Sequence, residues 1–192
     1  MSRSSRYFAL RQDVYVPGRW YLDEPVDSEG KELEDIWQFT EGHPVQVEQP
    51  LYVPCHRAGR SLDFSTTSVG ATPILHPKVA TVFEAFAPDD LQVLPVRVEG
   101  QAEQYFLLNV TRLVKCIDDS ASEEVQYWRP EDGRPEKTGR YRSVLGLRID
   151  KARVGDARVF RTWGWTVALI VAEELKVALE RTGATGMSFT EV

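Results

Sequence analysis

The sequence predicts an α+β fold, mainly antiparallel sheet with two packed amphipathic helices. Three observations carry this expectation. Short runs of aromatic and β-branched residues recur between Pro, Gly and Asp punctuation, as strands do. Two segments place apolar residues at three- and four-residue spacing, as half-buried helices do. A strand–helix–strand pattern also occurs twice, 96 residues apart, as Ile74 is from Ile170.

The first sixty residues read as short strands in "RYFAL", "DVYVPGRWYL" and "QPLYVP", broken at Pro17-Gly18, Asp27 to Gly30 and Gly42 to Pro44. "GKELEDIWQF" offers a helical turn through Leu33, Ile36 and Trp37, and "RAGRSLDFSTTSVGATP" a loop or a short strand between loops. From Ile74 the pattern sharpens into strand, helix, turn and long strand. Pro77 suits a first helical turn, where its missing donor does no harm. Val79, Val82, Phe83 and Phe86 then form one apolar stripe over Pro77 to Phe86, which Pro88 and Asp89-Asp90 end. "YFLLNVTRLVKCID" predicts two strands, "VQYWRPEDGRPEKTGRYR" a polar loop, and "SVLGLRID" a strand again.

The last segment, "FRTWGWTVALIVAEELKVALE", predicts strand and then a helix from Ala172 to Thr182. Glu173 and Glu174 match the helix dipole, and Gly183 and Gly186 suit its exit. Shifted by 96 residues, Val79 falls on Leu175, Phe83 on Leu179, Leu91 on Met187 and Val93 on Phe189. Leu175, Ala178 and Leu179 are therefore expected in the core. So are Leu169 and Val171, or Ile170 on the opposite face. Trp163 and Trp165 flank Gly164 and lie on one side of an extended segment; they are expected to close the core, the alternative being that they present an aromatic face.

A chain of 192 residues suits one domain, 1–192, with a strand- and turn-rich part over 1–60 and a core from residue 74. That length buries about 70% of the unfolded surface, so no metal or disulfide staple is required. The net charge of −6 argues against nucleic acid as a partner and leaves room for a basic protein. Val167 to Ala172 is the longest apolar run, too short for a bilayer. "MSRSSRYFALRQDVYVPGRW" lacks the apolar run of a secretory signal, so a cytoplasmic protein is expected.

Chemistry-bearing patterns are sparse. Cys55 and Cys116 stand far apart and outside any ligand spacing. Cys55-His56 pairs a thiol with an imidazole, but neighbours on an extended segment face opposite ways. A hydrolase would need His43 or His76 to approach Cys55 in space. No two histidines lie at helical ligand spacing, no CxxC occurs, and no glycine-rich phosphate loop is present. The expectation is thus no catalytic group, no metal and no cofactor. The segment "YWRPEDGRPEKTGRY" stands above this background. It sets Tyr127, Trp128 and Tyr141 around Arg129, Glu131, Asp132 and Arg134, and Trp, Tyr and Arg dominate protein interfaces. Either it is a partner-binding loop anchored by Trp128, Arg129 and Arg134, or it is a solvated hairpin whose aromatics fold back on the core.

"QYFLLNVTRLVKCIDDSAS" and "RIDKARVGDARVFRTWGWTVALIVAEELKVALERTGATGMSFTEV" resemble the Imm11 family, immunity proteins of bacterial polymorphic toxin systems. Tyr105 to Val110 fill the family's aromatic-Leu-Asn-Val strand, and Cys116, Ile117 and Asp118 its Cys-Ile-Asp segment. Phe160, Arg161, Leu175, Leu179, Thr185, Gly186 and Phe189 fill the places from its Phe-Arg strand to its Thr-Gly-x-x-Phe finish. The "RYFALRQDVYVPGRWYL" opening and "PEDGRPEKTGRY" look like a myxobacterial-type branch. The resemblance implies a protein that binds and neutralises a cognate toxin encoded beside it, in a stoichiometric complex and without catalysis. A regulatory module that binds a different protein or a small ligand is the alternative. Many relatives carry Ser before the acidic pair of the last helix, where this chain has Ala172.

Overall fold

The structure, a computed structural model, describes residues 6–192. The first five residues of the basic start read above lie outside the described residues. The described chain is mixed α+β. Its strands are β1 (Tyr7–Gln12), β2 (Tyr21–Leu22), β3 (Leu51–Val53), β4 (Cys55–Arg57), β5 (Phe64–Thr66), β6 (Pro73–Leu75), β7 (Leu91–Val98), β8 (Tyr105–Val110) and β9 (Leu113–Val114). They continue with β10 (Glu124–Tyr127), β11 (Tyr141–Leu145), β12 (Val159–Thr162), β13 (Trp165–Ala172) and β14 (Met187–Glu191). Helix α1 (Pro77–Phe86) joins β6 to β7, and helix α2 (Glu173–Arg181) joins β13 to β14.

Two five-stranded sheets, ordered β3-β7-β8-β6-β5 and β14-β1-β13-β12-β9, hold these units. In the first, β8 stands between the two strands that flank α1; in the second, β1 stands between the two that flank α2. The registers agree residue by residue. Pairs from Leu91↔Val110 to Pro95↔Phe106 correspond to pairs from Met187↔Gln12 to Glu191↔Phe8. Ile74↔Leu107 and Leu75↔Phe106 correspond to Ile170↔Ala9 and Val171↔Phe8. Even the closing bonds match, Thr111 N to Asp90 O and Asp13 N to Gly186 O, both 2.8 Å. The second unit therefore repeats the first with one strand moved to the start of the chain. Tyr7-Phe8-Ala9-Leu10 is the counterpart of Tyr105-Phe106-Leu107-Leu108.

The helices pack on each other between the sheets. Val79, Ala80 and Phe83 of α1 and Leu175 and Leu179 of α2 meet Phe8, Leu75, Leu108 and Val171 in one central cluster. Each such large side chain removed from water contributes about 1.5–3 kcal/mol before the entropy of ordering is charged. Both outer sheet faces are covered too. Residues 16–62 lay Trp20, Leu22, Phe39 and Leu62 over Ile74 and Leu107, while Val144, Leu147, Ile149 and Val154 cover Phe160 and Ile170. Leu169, Ile170 and Val171 are consequently all buried, one set on each face, so the choice between faces posed by the sequence dissolves. Ala178 is only half buried.

Two carboxylates tie the units together at matching places. Asp90, just after α1, accepts from Arg158 N at 2.9 Å ahead of β12. Asp63, ahead of β5, accepts from Thr185 N at 2.8 Å and Thr185 Oγ1 at 3.0 Å, just after α2. Asp90 thus serves as an interior tie; it is 7% exposed.

Four expectations need correction. "DVYVPGRWYL" contributes only Tyr21–Leu22 as strand, because Gly18 adopts φ 66 and the preceding residues turn. "GKELEDIWQF" forms hydrogen-bonded turns, with Thr40 N donating to Trp37 O, and no helix. The strand in "SVLGLRID" ends at Leu145, since Gly146 takes φ 54 and the chain resumes with an isolated Ile117–Ile149 bridge. Trp163 does not enter the core: it sits on a two-residue turn with Gly164 at φ 79, and 37% of it is exposed. Trp165 packs against the outer cluster as expected.

Candidate partner-binding surface

The segment from Tyr127 to Tyr141 is a hairpin loop between β10 and β11, which among the described residues pair only with each other. It carries two single 3₁₀ turns, Pro130–Asp132 and Pro135–Lys137, with Gly133 and Gly139 at positive φ where the chain reverses. Asp119 clasps its base. Tyr127 and Tyr141 both donate their hydroxyls to this carboxylate, and their rings lie 4.7 Å apart. Burial, and then the bond to Asp119, raise both phenol pKa values, so both rings stay neutral donors at physiological pH.

The aromatics of this segment divide between the core and the surface. Tyr141 folds back on the outer cluster, as does Val125. Tyr127 remains 39% exposed. Trp128 is half buried, with the Lys137 ammonium and the Arg142 guanidinium each 5.2 Å from its ring. Asp132 accepts from Arg129 N at 2.9 Å and pairs with Arg142 at 3.1 Å. Arg134 pairs with Glu136 at 2.9 Å. Arg129 and Glu131 are exposed, and neither side chain forms an ion pair among the described residues. The loop is thus fixed by its own contacts while offering aromatic and charged tips.

Sequence reasoning missed that Trp163 adjoins this hairpin. Tyr141 N donates to Gly164 O at 3.1 Å, and Trp163, Gly164 and Arg140 line one shallow cavity of about 230 Å³ with Leu113 and His43. The Lys115 ammonium lies 4.5 Å from the Trp163 ring, and Leu113 is 39% exposed. The available signal was Trp163-Gly164 between Thr162 and Trp165, a turn spelling that places an indole at a tip rather than in a strand.

The thiols and imidazoles go elsewhere. Cys55 Sγ lies 3.2 Å from Arg57 O. Each histidine meets a carboxylate instead of the thiol: His43 with Glu41 at 3.0 Å, His56 with Asp23 at 3.6 Å and His76 with Glu103 at 3.3 Å. His76 also caps α1. Cys116 is fully buried, and burial pushes its thiol up to about 12. Among the described residues, no group of three or more His, Cys, Asp or Glu is placed to hold a metal ion. No helix of the described residues is long and apolar enough to cross a membrane.

No curated protein matches the chain. The model of the immunity protein family (Imm11) matches residues 19–192, from Arg19 ahead of β2 to the residue after β14, and so takes in both units except β1. The chain belongs to the Imm11 immunity protein family.

Proposed function

We propose that this protein, acting as one domain in the cytoplasm, binds a cognate toxin encoded by an adjacent gene and neutralises it as a stoichiometric complex. Family membership over residues 19–192 is the observation that carries this reading. Blocking an active site or substrate channel needs a complementary surface and no catalytic group, and the net charge of −6 favours a basic toxin.

The contact surface is the Tyr127–Tyr141 loop, with Trp128, Arg129 and Arg134 as anchors and Glu131 and Asp132 at its rim. The Asp119 clasp and the Asp132–Arg142 pair support this choice, because a loop ordered beforehand loses less entropy on docking. Trp163 extends the same face.

Calorimetry of the purified chain with the product of the adjacent gene tests both levels. One-to-one binding is expected, and alanine at Trp128, Arg129 and Arg134 together is expected to weaken it at least tenfold. No heat and no co-elution would overturn the functional reading. Intact binding with the triple variant within threefold of wild type would overturn only the contact surface.

A further inference from the structure

The ribbon of β2 and β4 gathers positive charge in a chain whose net charge is −6. Tyr21 stands opposite Arg57, and just beyond the ribbon Arg19 bridges to Arg60. Trp20 and Leu22 are buried in the cluster under the first sheet, so alternation turns Arg19 and Tyr21 outward. The Tyr21 ring is 41% exposed and holds two guanidiniums, Arg19 at 4.1 Å and Arg57 at 5.8 Å from its centroid. Arg57 and Arg60 are both exposed.

None of these three arginines forms an ion pair among the described residues. Arg19 reaches only backbone oxygens, of Trp20 at 3.3 Å and Val14 at 3.4 Å. The neighbouring carboxylates are engaged elsewhere: Asp23 with His56 at 3.6 Å, Asp13 with Tyr15 N at 2.9 Å and Glu99 with Cys55 N at 2.8 Å. Like charges set opposite each other destabilise a strand pair, and this one keeps three with no acid of its own. The backbone fixes them in place. Arg60 N donates to Gly18 O at 2.7 Å, Trp20 N donates to Arg60 O at 3.0 Å, and a Cβ at Gly59 would lie 2.5 Å from Gly18 O. Arg19 and Tyr21 also line an open cavity of about 430 Å³ with Val14, His56 and Ser68. That volume falls within the roughly 300–1,000 Å³ of ligand pockets. Val14 is 56% exposed and its neighbour Tyr15 89%, an apolar rim beside the charge.

A nucleic acid needs a long row of cations to neutralise its phosphates, and outside this patch an acidic chain repels it. A short protein segment with two or three carboxylates matches the charge, because each guanidinium can grip a carboxylate with two parallel bonds. We propose that the β2–β4 ribbon is a second docking surface, for an acidic protein segment. Its carboxylates pair with Arg57, Arg60 and Arg19, and an apolar side chain of the same segment enters the cavity against Tyr21. The ribbon covers the first sheet, whereas the Tyr127–Tyr141 hairpin covers the second, so the two surfaces are separate and this one stands independently of the toxin assignment.

Fluorescence anisotropy tests this with a fluorescein-labelled peptide of four glutamates and one tyrosine, its lysine counterpart, and a single-stranded oligonucleotide of equal charge. Saturable binding of the acidic peptide is expected, weakening at least threefold between about 0.05 M and 0.3 M salt. Arg57→Glu with Arg60→Glu is expected to weaken it at least tenfold. Arg181→Glu, the same charge change at the exposed end of α2, is expected to leave it within about twofold. Should charge reversal lower the unfolding midpoint, Arg57→Gln with Arg60→Gln is expected to weaken binding at least threefold. Equal binding by the lysine peptide, or by the variants, would overturn the site. So would no saturable binding of the acidic peptide, or tighter binding of the oligonucleotide, which would mark a surface for phosphates instead.

Discussion

Serine in place of Ala172 is expected to stabilise the protein, and its own first helix supplies the comparison. His76 and Ala172 stand in corresponding places, with matching extended backbones at φ −66, ψ 149 and φ −71, ψ 156. His76 Nδ1 accepts from Lys78 N at 3.2 Å, whereas Ala172 has no side-chain acceptor for the first turn of α2. The Glu173 N–H is already satisfied by Arg6 O at 2.9 Å, so the gain rests on the N–H of Glu174 or Leu175. An added N-cap hydroxyl is worth about 0.5–2 kcal/mol. Ala172 is 4% exposed, so the new oxygen must be seated in a tight place, and the middle of that range, about 1 kcal/mol, is the reasonable figure. In a chain of this length that raises the unfolding midpoint by roughly 2–4 °C. Thermal and urea unfolding followed by circular dichroism measure it, with Ala178→Ser as the control that adds the same oxygen inside α2. A midpoint for Ala172→Ser equal to or below wild type would refute the reasoning.

Asp63→Ala should cost about 2–4 kcal/mol in urea unfolding, because Thr185 N, Thr185 Oγ1 and the Lys78 ammonium lose a shared acceptor; a loss under about 0.5 kcal/mol would show the tie to be ornamental. The same carboxylate sets an acid limit. Burial pushes its pKa up, but Lys78 and Thr185 outweigh burial and hold it below the ordinary 3.8. The unfolded chain therefore takes up the proton first, so the contribution is complete above about pH 3.8 and fades as pH falls through the lower native value. Asp63→Asn should flatten the stability curve in that window, and an unchanged slope there would contradict the assignment. Gly186→Ala should destabilise by about 3 kcal/mol or more, since Gly186 has φ 91 and a Cβ would lie 2.2 Å from Phe64 O; near-normal unfolding of that variant would dismiss the strain.

Where apolar periodicity acts over a whole element, the sequence is legible. The stripe of Val79 and Phe83 marks α1, and Leu175 and Leu179 mark α2, because tertiary packing rewards the spacing that the letters show. The repeat is half legible for a topological reason. A fixed shift aligns Ile74 with Ile170 but cannot align Tyr105-Phe106-Leu107-Leu108 with Tyr7-Phe8-Ala9-Leu10, which pairs from the other end of the chain. The covering segment over residues 13–62 is hard to read because its order comes from long-range contacts, such as Trp20 Nε1 donating to Ser65 Oγ at 2.7 Å, rather than from local period. At the candidate surface the composition of the hairpin is plain, but the Asp119 clasp and the approach of Trp163 are contacts between distant positions. Arg161 reads as one more strand residue until its burial is seen.

The central claim is neutralisation by binding, and co-expression tests it most directly. Cells carrying the adjacent gene's product should grow only when this chain is present, and the two proteins should co-purify at one to one. Equal killing with and without this chain, at matched expression, would contradict the account.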